Sequence, residues 1–129
     1  MKKPIVLFIF SLVLTLVHAQ EGNNICVWNA MNNYNTGGGP EELETAIKCS
    51  DEASVHEGTS LKSKTWLYRG QLFTTISTDK VLKTKYPTAL LEAVKAFKKI
   101  YDLAEPKFRD WEDAFKYMIP LAPTRSMLE

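Results

Sequence analysis

The chain has 129 residues, a formal net charge of +1 and two cysteines, enough for one domain with a modest core. That charge balance gives no electrostatic case for nucleic-acid binding, which needs a concentrated basic surface. No low-complexity tract and no linker long enough to divide domains interrupts it.

Residues 1–19 read as an export signal. Lys2 and Lys3 precede an apolar run from Ile5 to Val17, relieved only by Ser11 and Thr15. The run is too short for a membrane span, which takes about 20 residues. Val17-His18-Ala19 suits a cleavage site, so a mature chain beginning at Gln20 is expected, exported to the periplasm or secreted. No membrane insertion is expected after cleavage. Cys26 lies too far beyond Ala19 to carry a lipid anchor. Losing Lys2 and Lys3 turns the net charge from +1 to −1. The remaining charge is uneven: residues 20–57 hold seven acids and one base, residues 58–109 eleven bases and four acids. Solvated helix faces of opposite sign explain this, or a mild basic patch at Lys95, Lys98 and Lys99 facing an acidic partner.

A first helix is predicted over 24–35, with Ile25, Trp28, Met31 and Tyr34 on its apolar face. Thr36-Gly37-Gly38-Gly39 stops it, since glycine tolerates the left-handed backbone of a helix end. Pro40 suits the first turn of a second helix, and Glu41 and Glu42 complement its positive N-terminus. Leu43, Ala46, Ile47, Ser50 and Ala53 form its inner stripe, and Gly58 closes it. Thr59 or Ser60 caps a third helix. Leu61, Thr65, Tyr68 and Leu72 line one side of it; Trp66, Gly70, Phe73 and Ser77 line the next. One short strand over 72–76 is the alternative there, because Thr74, Thr75 and Ile76 are β-branched. The polar stretch 78–86 reads as a loop or a loose helix end. Pro87 opens a fourth helix with Leu90, Ala93, Val94, Phe97, Ile100 and Ala104 at helical spacing. Phe108, Trp111, Phe115 and Met118 suggest a fifth, ended by Pro120 and Pro123. The expected domain is 20–123, with 124–129 as a tail.

Short connections make antiparallel helix pairs. These pairs repeat. Trp28, Trp66 and Trp111 each begin the first helix of a pair, at separations of 38 and 45 residues. Ala46-x3-Ser50-x2-Ala53 matches Ala93-x3-Phe97-x2-Ile100 in the second helices, a signature of stacked helical hairpins. Trp66-x2-Arg69-Gly70-x2-Phe73 resembles the first-helix signature of the tetratricopeptide (TPR) family, and Ala93-x3-Phe97 and Glu105-Pro106 resemble its second helix and closing proline. The flavour is that of exported bacterial members, and the resemblance spans about residues 23–119. Arg69 stands where the family has leucine, Asn32 replaces the first unit's glycine, the stretch from Phe73 to Ala93 is long, and the third unit lacks a second helix. The resemblance implies an all-α chain of about five helices stacked as a TPR-like superhelix.

Gly70 then reads as the point where the fourth helix comes close, near Ala93 or Ala96, with Trp66 and Phe73 in the core. Its helix-propensity cost of roughly 1 kcal/mol is offset by packing.

Catalytic groups are scarce. Cys49 and His56 lie two helical turns apart, beyond hydrogen-bond reach. Cys26, Cys49 and His56 are too few for zinc without a suitable carboxylate. Asp110, Glu112 and Asp113 sit at a predicted helix start, where acids are common. No phosphate loop, nucleophile elbow or dinucleotide fingerprint occurs. The expectation is a non-enzyme without a cofactor or metal. Its leading function is an interaction module binding a protein or peptide in the groove of its first helices. The alternatives are a small-molecule or ion carrier with a pocket between hairpins, and a fragment of a longer repeat protein.

Folding the first two helices about Gly37 and Gly38 sets Cys26 nearly opposite Cys49. They read as a disulfide in an oxidising compartment, or as two buried thiols packed as small apolar groups. The family's groove positions, carried over from each tryptophan, imply binding at Asn29 and Asn33 in the first unit and Lys64, Gln71 and Thr75 in the second. An ordinary solvated face is the plainer reading of the same residues. The clamp that some members use for a C-terminal carboxylate has no counterpart near Trp111.

Overall fold

The computed structural model describes residues 22–103 together with Glu112, Asp113 and Lys116. Its elements are α1 (22–35), α2 (Pro40–Val55), α3 (Ser63–Thr78), the single turn α4 (Leu82–Lys85) and α5 (Ala89–Asp102). The chain is all-α, with no strand among the described residues. Residues 72–76, the stretch with strand-forming threonines, lie inside α3. The expected signal segment and most of the expected fifth helix, including Phe108, Trp111, Phe115 and Met118, lie outside the described residues. Glu112, Asp113 and Lys116 have helical backbone.

Side-chain links fix the helix directions. The Cys26–Cys49 disulfide and the Asn33 amide, which donates to Glu42 Oε2 at 3.3 Å, run α1 antiparallel to α2. Gly70 faces Phe97, and Lys99 Nζ lies 5.7 Å from the Trp66 ring centroid, so α5 runs antiparallel along α3. Asn24 Nδ2 donates to Thr65 Oγ1 at 2.9 Å and the Tyr34 hydroxyl to Asp79 Oδ2 at 2.7 Å. Those two bonds set α1 parallel to α3. The arrangement is two antiparallel hairpins, α1/α2 and α3/α5, with their first helices side by side. Arg69 ties the hairpins together: its Nη1 donates to Ser50 Oγ at 3.0 Å and to Asp51 Oδ1 at 2.8 Å.

The turns follow from local chemistry. α1 closes through Gly37, whose φ of +111° is a left-handed conformation that suits glycine, and the Gly38 N–H donates to Asn33 O at 2.8 Å. Pro40 then occupies the first turn of α2, with Glu41 and Glu42 beside it. Thr59 does not cap α3. It is buried and donates its hydroxyl to Ala53 O at 2.6 Å, closing the end of α2, and α3 starts only at Ser63. Ser60 instead accepts the Trp66 indole N–H on its carbonyl at 2.7 Å. The polar stretch 78–86, which reads as a loop or a loose helix end, holds a separate helical turn. Asp79 Oδ1 accepts the N–H groups of Val81 (2.9 Å) and Leu82 (2.8 Å), and Leu82 is buried under the cap. Pro87 precedes α5 without entering it, and Thr88 is the residue before its first turn.

One core joins the helices. α2 buries Leu43, Ala46, Ile47, Ser50 and Ala53, the stripe its spacing predicts. α3 contributes Leu67, Leu72, Phe73 and Ile76, and α5 contributes Ala89, Ala93, Ala96, Phe97 and Ile100. Three expectations are corrected. Trp66 is half-buried rather than central. Leu61 is exposed in the turn before α3. In α1 the buried apolar residues are Val27 and Ala30, with Met31 and Tyr34 packed against them, while Ile25 and Trp28 are 58% and 50% exposed. Residues spaced by three fall about 60° short of a full turn at each step, so Ile25 and Tyr34 point to opposite sides of one helix.

Asp79 joins α1 to the α3–α4 corner. The Leu82 N–H first, then the Tyr34 hydroxyl and the Val81 N–H, hold its carboxyl below the ordinary aspartate range, and the same bond raises the Tyr34 pKa. A depressed folded pKa gives stability that is present above the ordinary value of about 3.9 and lost as pH falls through the lower folded value. Asp79→Ala is therefore expected to melt below wild type at neutral pH, with the gap narrowing below about pH 4. An equal gap at neutral pH and well below that point, measured by urea titration at each pH, rules this out.

Candidate functional site

The parallel seating of α1 beside α3 leaves a cleft near their N-terminal ends, with a volume of about 270 Å³. Asn24, Ile25 and Trp28 line it from α1; Lys62, Lys64 and Tyr68 line it from the start of α3. Its geometry follows from the α1 register. Val27 and Ala30 face the core, which turns Ile25 and Trp28 toward the cleft and solvent. The Asn24–Thr65 hydrogen bond holds the two helices together beside it. On α1 the Cys26–Cys49 disulfide, with Cα atoms 6.1 Å apart, fastens the same turn to α2.

Lys64 Nζ stands 5.6 Å from the Tyr68 ring centroid, a separation at which cation and ring attract. Asn24 is 8% exposed, and its Oδ1 is buried with no hydrogen-bond partner while its Nδ2 is taken by Thr65. The cleft thus combines apolar and aromatic walls with ammonium groups at its edge. Among the described residues that line it, none is a histidine, cysteine or carboxylate.

Of the five groove residues taken from the family resemblance, only Lys64 lines this cleft. Asn29 is exposed on α1. Asn33 is exposed and bonded to Glu42. Gln71 and Thr75 are half-buried one turn apart on α3, where the Thr75 hydroxyl donates to Gln71 O at 3.0 Å. Sequence reasoning missed Asn24, Ile25, Trp28, Lys62 and Tyr68. A helical-wheel count from Val27 and Ala30 would have put Ile25 and Trp28 outside the core. The Asn24 acceptor carries no such signal.

Elsewhere, both cysteines are in the disulfide, and His56 Nδ1 accepts the Gly58 N–H at 3.3 Å. Among the described residues no group of three histidine, cysteine or acidic side chains is placed to hold a metal ion, and no helix is long and apolar enough to cross a membrane. In the basic patch on α5, Lys95 pairs with Glu92 and Lys98 with Asp102. Comparison with family models, curated proteins and solved structures returned no match.

Proposed function

We propose that the chain is an exported, non-enzymatic interaction module of TPR-like hairpins that captures a protein or peptide partner in the cleft between α1 and α3. The observation that carries this reading is the half-exposed Trp28, set beside Ile25 and across from Tyr68 on the neighbouring helix. Large aromatic surface is seldom left in water without use, and tryptophan and tyrosine are enriched among the residues that dominate binding energy at interfaces. The parallel first helices support the hairpin stacking, and the disulfide favours an oxidising compartment. A volume of about 270 Å³ falls below the range of about 300–1,000 Å³ that encloses drug-sized ligands. It suits one anchoring side chain of a larger partner better than a carried small molecule.

Trp28→Ala tests this. Trp28 is half exposed, so its removal should change the stability by no more than about 1 kcal/mol. As a binding anchor its loss should weaken partner affinity by about 2 kcal/mol, roughly 30-fold. The partner is isolated with the wild-type chain from a periplasmic extract and titrated against both proteins by calorimetry. Equal affinities would remove the cleft from the docking surface.

A further inference from the structure

If α1 and α3 form a docking pair, the chemistry of their cleft narrows what it takes. We propose that the cleft selects a peptide in which an aromatic or long aliphatic side chain is followed within a residue or two by a carboxylate. The apolar side chain lies between Ile25, Trp28 and Tyr68, and the carboxylate meets Lys64.

Each contact answers an observed need. Ile25, Trp28 and Tyr68 give a lining with room for one bulky apolar group. Lys64 is exposed, and among the described residues no carboxylate pairs with it; its recorded contact is the Tyr68 ring. A carboxylate brought to that ammonium is sheltered on one side by the ring, which strengthens the attraction relative to open water. Lys62 adds positive potential at the same edge while keeping a contact of its own. A membrane surface fits less well, because it rewards apolar side chains that protrude, whereas these line a recess.

The test uses the mature chain and fluorescein-labelled peptides, read by anisotropy at low and moderate salt. The probe is Gly-Ser-Phe-Glu-Asp-Gly. Its analogues replace both acids by their amides, both acids by lysine, or phenylalanine by alanine. The expected result is at least tenfold tighter binding of the acidic aromatic probe than of the amide analogue. Loss of phenylalanine should abolish binding. Lys64→Gln should erase the preference for acid, and Lys64→Glu should reverse it toward the lysine analogue, both with unchanged circular dichroism. Equal binding of acidic and amide probes, still lost in Trp28→Ala, would overturn the carboxylate selection and leave the docking cleft standing. No Trp28-dependent binding by any probe would overturn both. Lys64-dependent binding to phosphatidylglycerol vesicles in place of the probe would overturn the peptide in favour of a lipid surface.

Discussion

Gly70→Leu is expected to melt well below the wild-type protein, although leucine is by far the better helix former. Gly70 is buried in the middle of α3, against α5. A Cβ at this position would meet the edge of the Phe97 ring at Cε1, lying 2.6 Å from Cζ and 2.7 Å from Cδ1, closer than real Cβ atoms approach other groups. The ring has little room to retreat, since Phe97 is 1% exposed and belongs to the same core cluster as Ala93 and Ile100. Overpacking of this kind costs about 1–3 kcal/mol, and the helix-propensity gain returns at most about 1 kcal/mol. A full leucine side chain falls at the upper end of that range. For a domain of this size, each kcal/mol lost lowers the melting temperature by about 4–8 °C. Gly70→Ala should show the same effect more weakly. Phe97→Leu should be less damaging in the Gly70→Ala background than alone, because the two changes share one space. Thermal melts of wild type and the four variants decide the matter, and a Gly70→Leu variant as stable as wild type would refute the close approach.

Removing the Cys26–Cys49 bond is expected to be at least as damaging, and to reach the cleft as well. The bond closes a loop with a sequence separation of 23 residues, which in the chain-entropy account stabilises the fold by about 3 kcal/mol. A helix as short as α1 is marginal in water by itself, so it depends on what fastens it. Its other ties are the Asn24–Thr65, Asn33–Glu42 and Tyr34–Asp79 hydrogen bonds and the burial of Val27 and Ala30. The paired substitution Cys26→Ser with Cys49→Ser should therefore lower the melting temperature by more than about 10 °C. Reductant should do the same to the wild-type protein and nothing further to the variant. Binding through Trp28 should weaken in parallel, since Asn24, Ile25 and Trp28 all ride on the strapped turn of α1. Identical melts with and without reductant would show that the bond contributes nothing to the fold.

Much of the architecture was legible in the chain before any tertiary information. In α2, five inner residues recur at helical spacing between Gly37 and the turn after Val55, and all five are buried. The glycine run before Pro40 marks a helix end and a helix start through backbone freedom and a fixed φ, both properties of single residues. Gly70 announced a close approach by its presence inside an apolar helix, and the atoms nearest to it belong to Phe97, next to Ala96 and one turn from Ala93. Which residue meets it depends on the rotation and stagger of α5, which no spacing within α3 contains. Thr59 shows the same limit at a turn: its capping chemistry was readable, but the helix end that receives it depends on where the chain folds back.

The cleft belongs almost wholly to tertiary structure. Of the residues implied by tryptophan spacing, Lys64 reaches it, while Asn29, Asn33, Gln71 and Thr75 lie elsewhere on α1 and α3. Local spacing determines which residues can share a face, because that depends only on the 100° advance per residue of a helix. It leaves open how far each helix is rotated about its own axis. In α1 that rotation is set by burying Val27 and Ala30 and by the bonds to Cys49, Thr65 and Asp79, partners 23 to 45 residues away in the chain. The same rotation turns Ile25 and Trp28 out of the core and into the cleft.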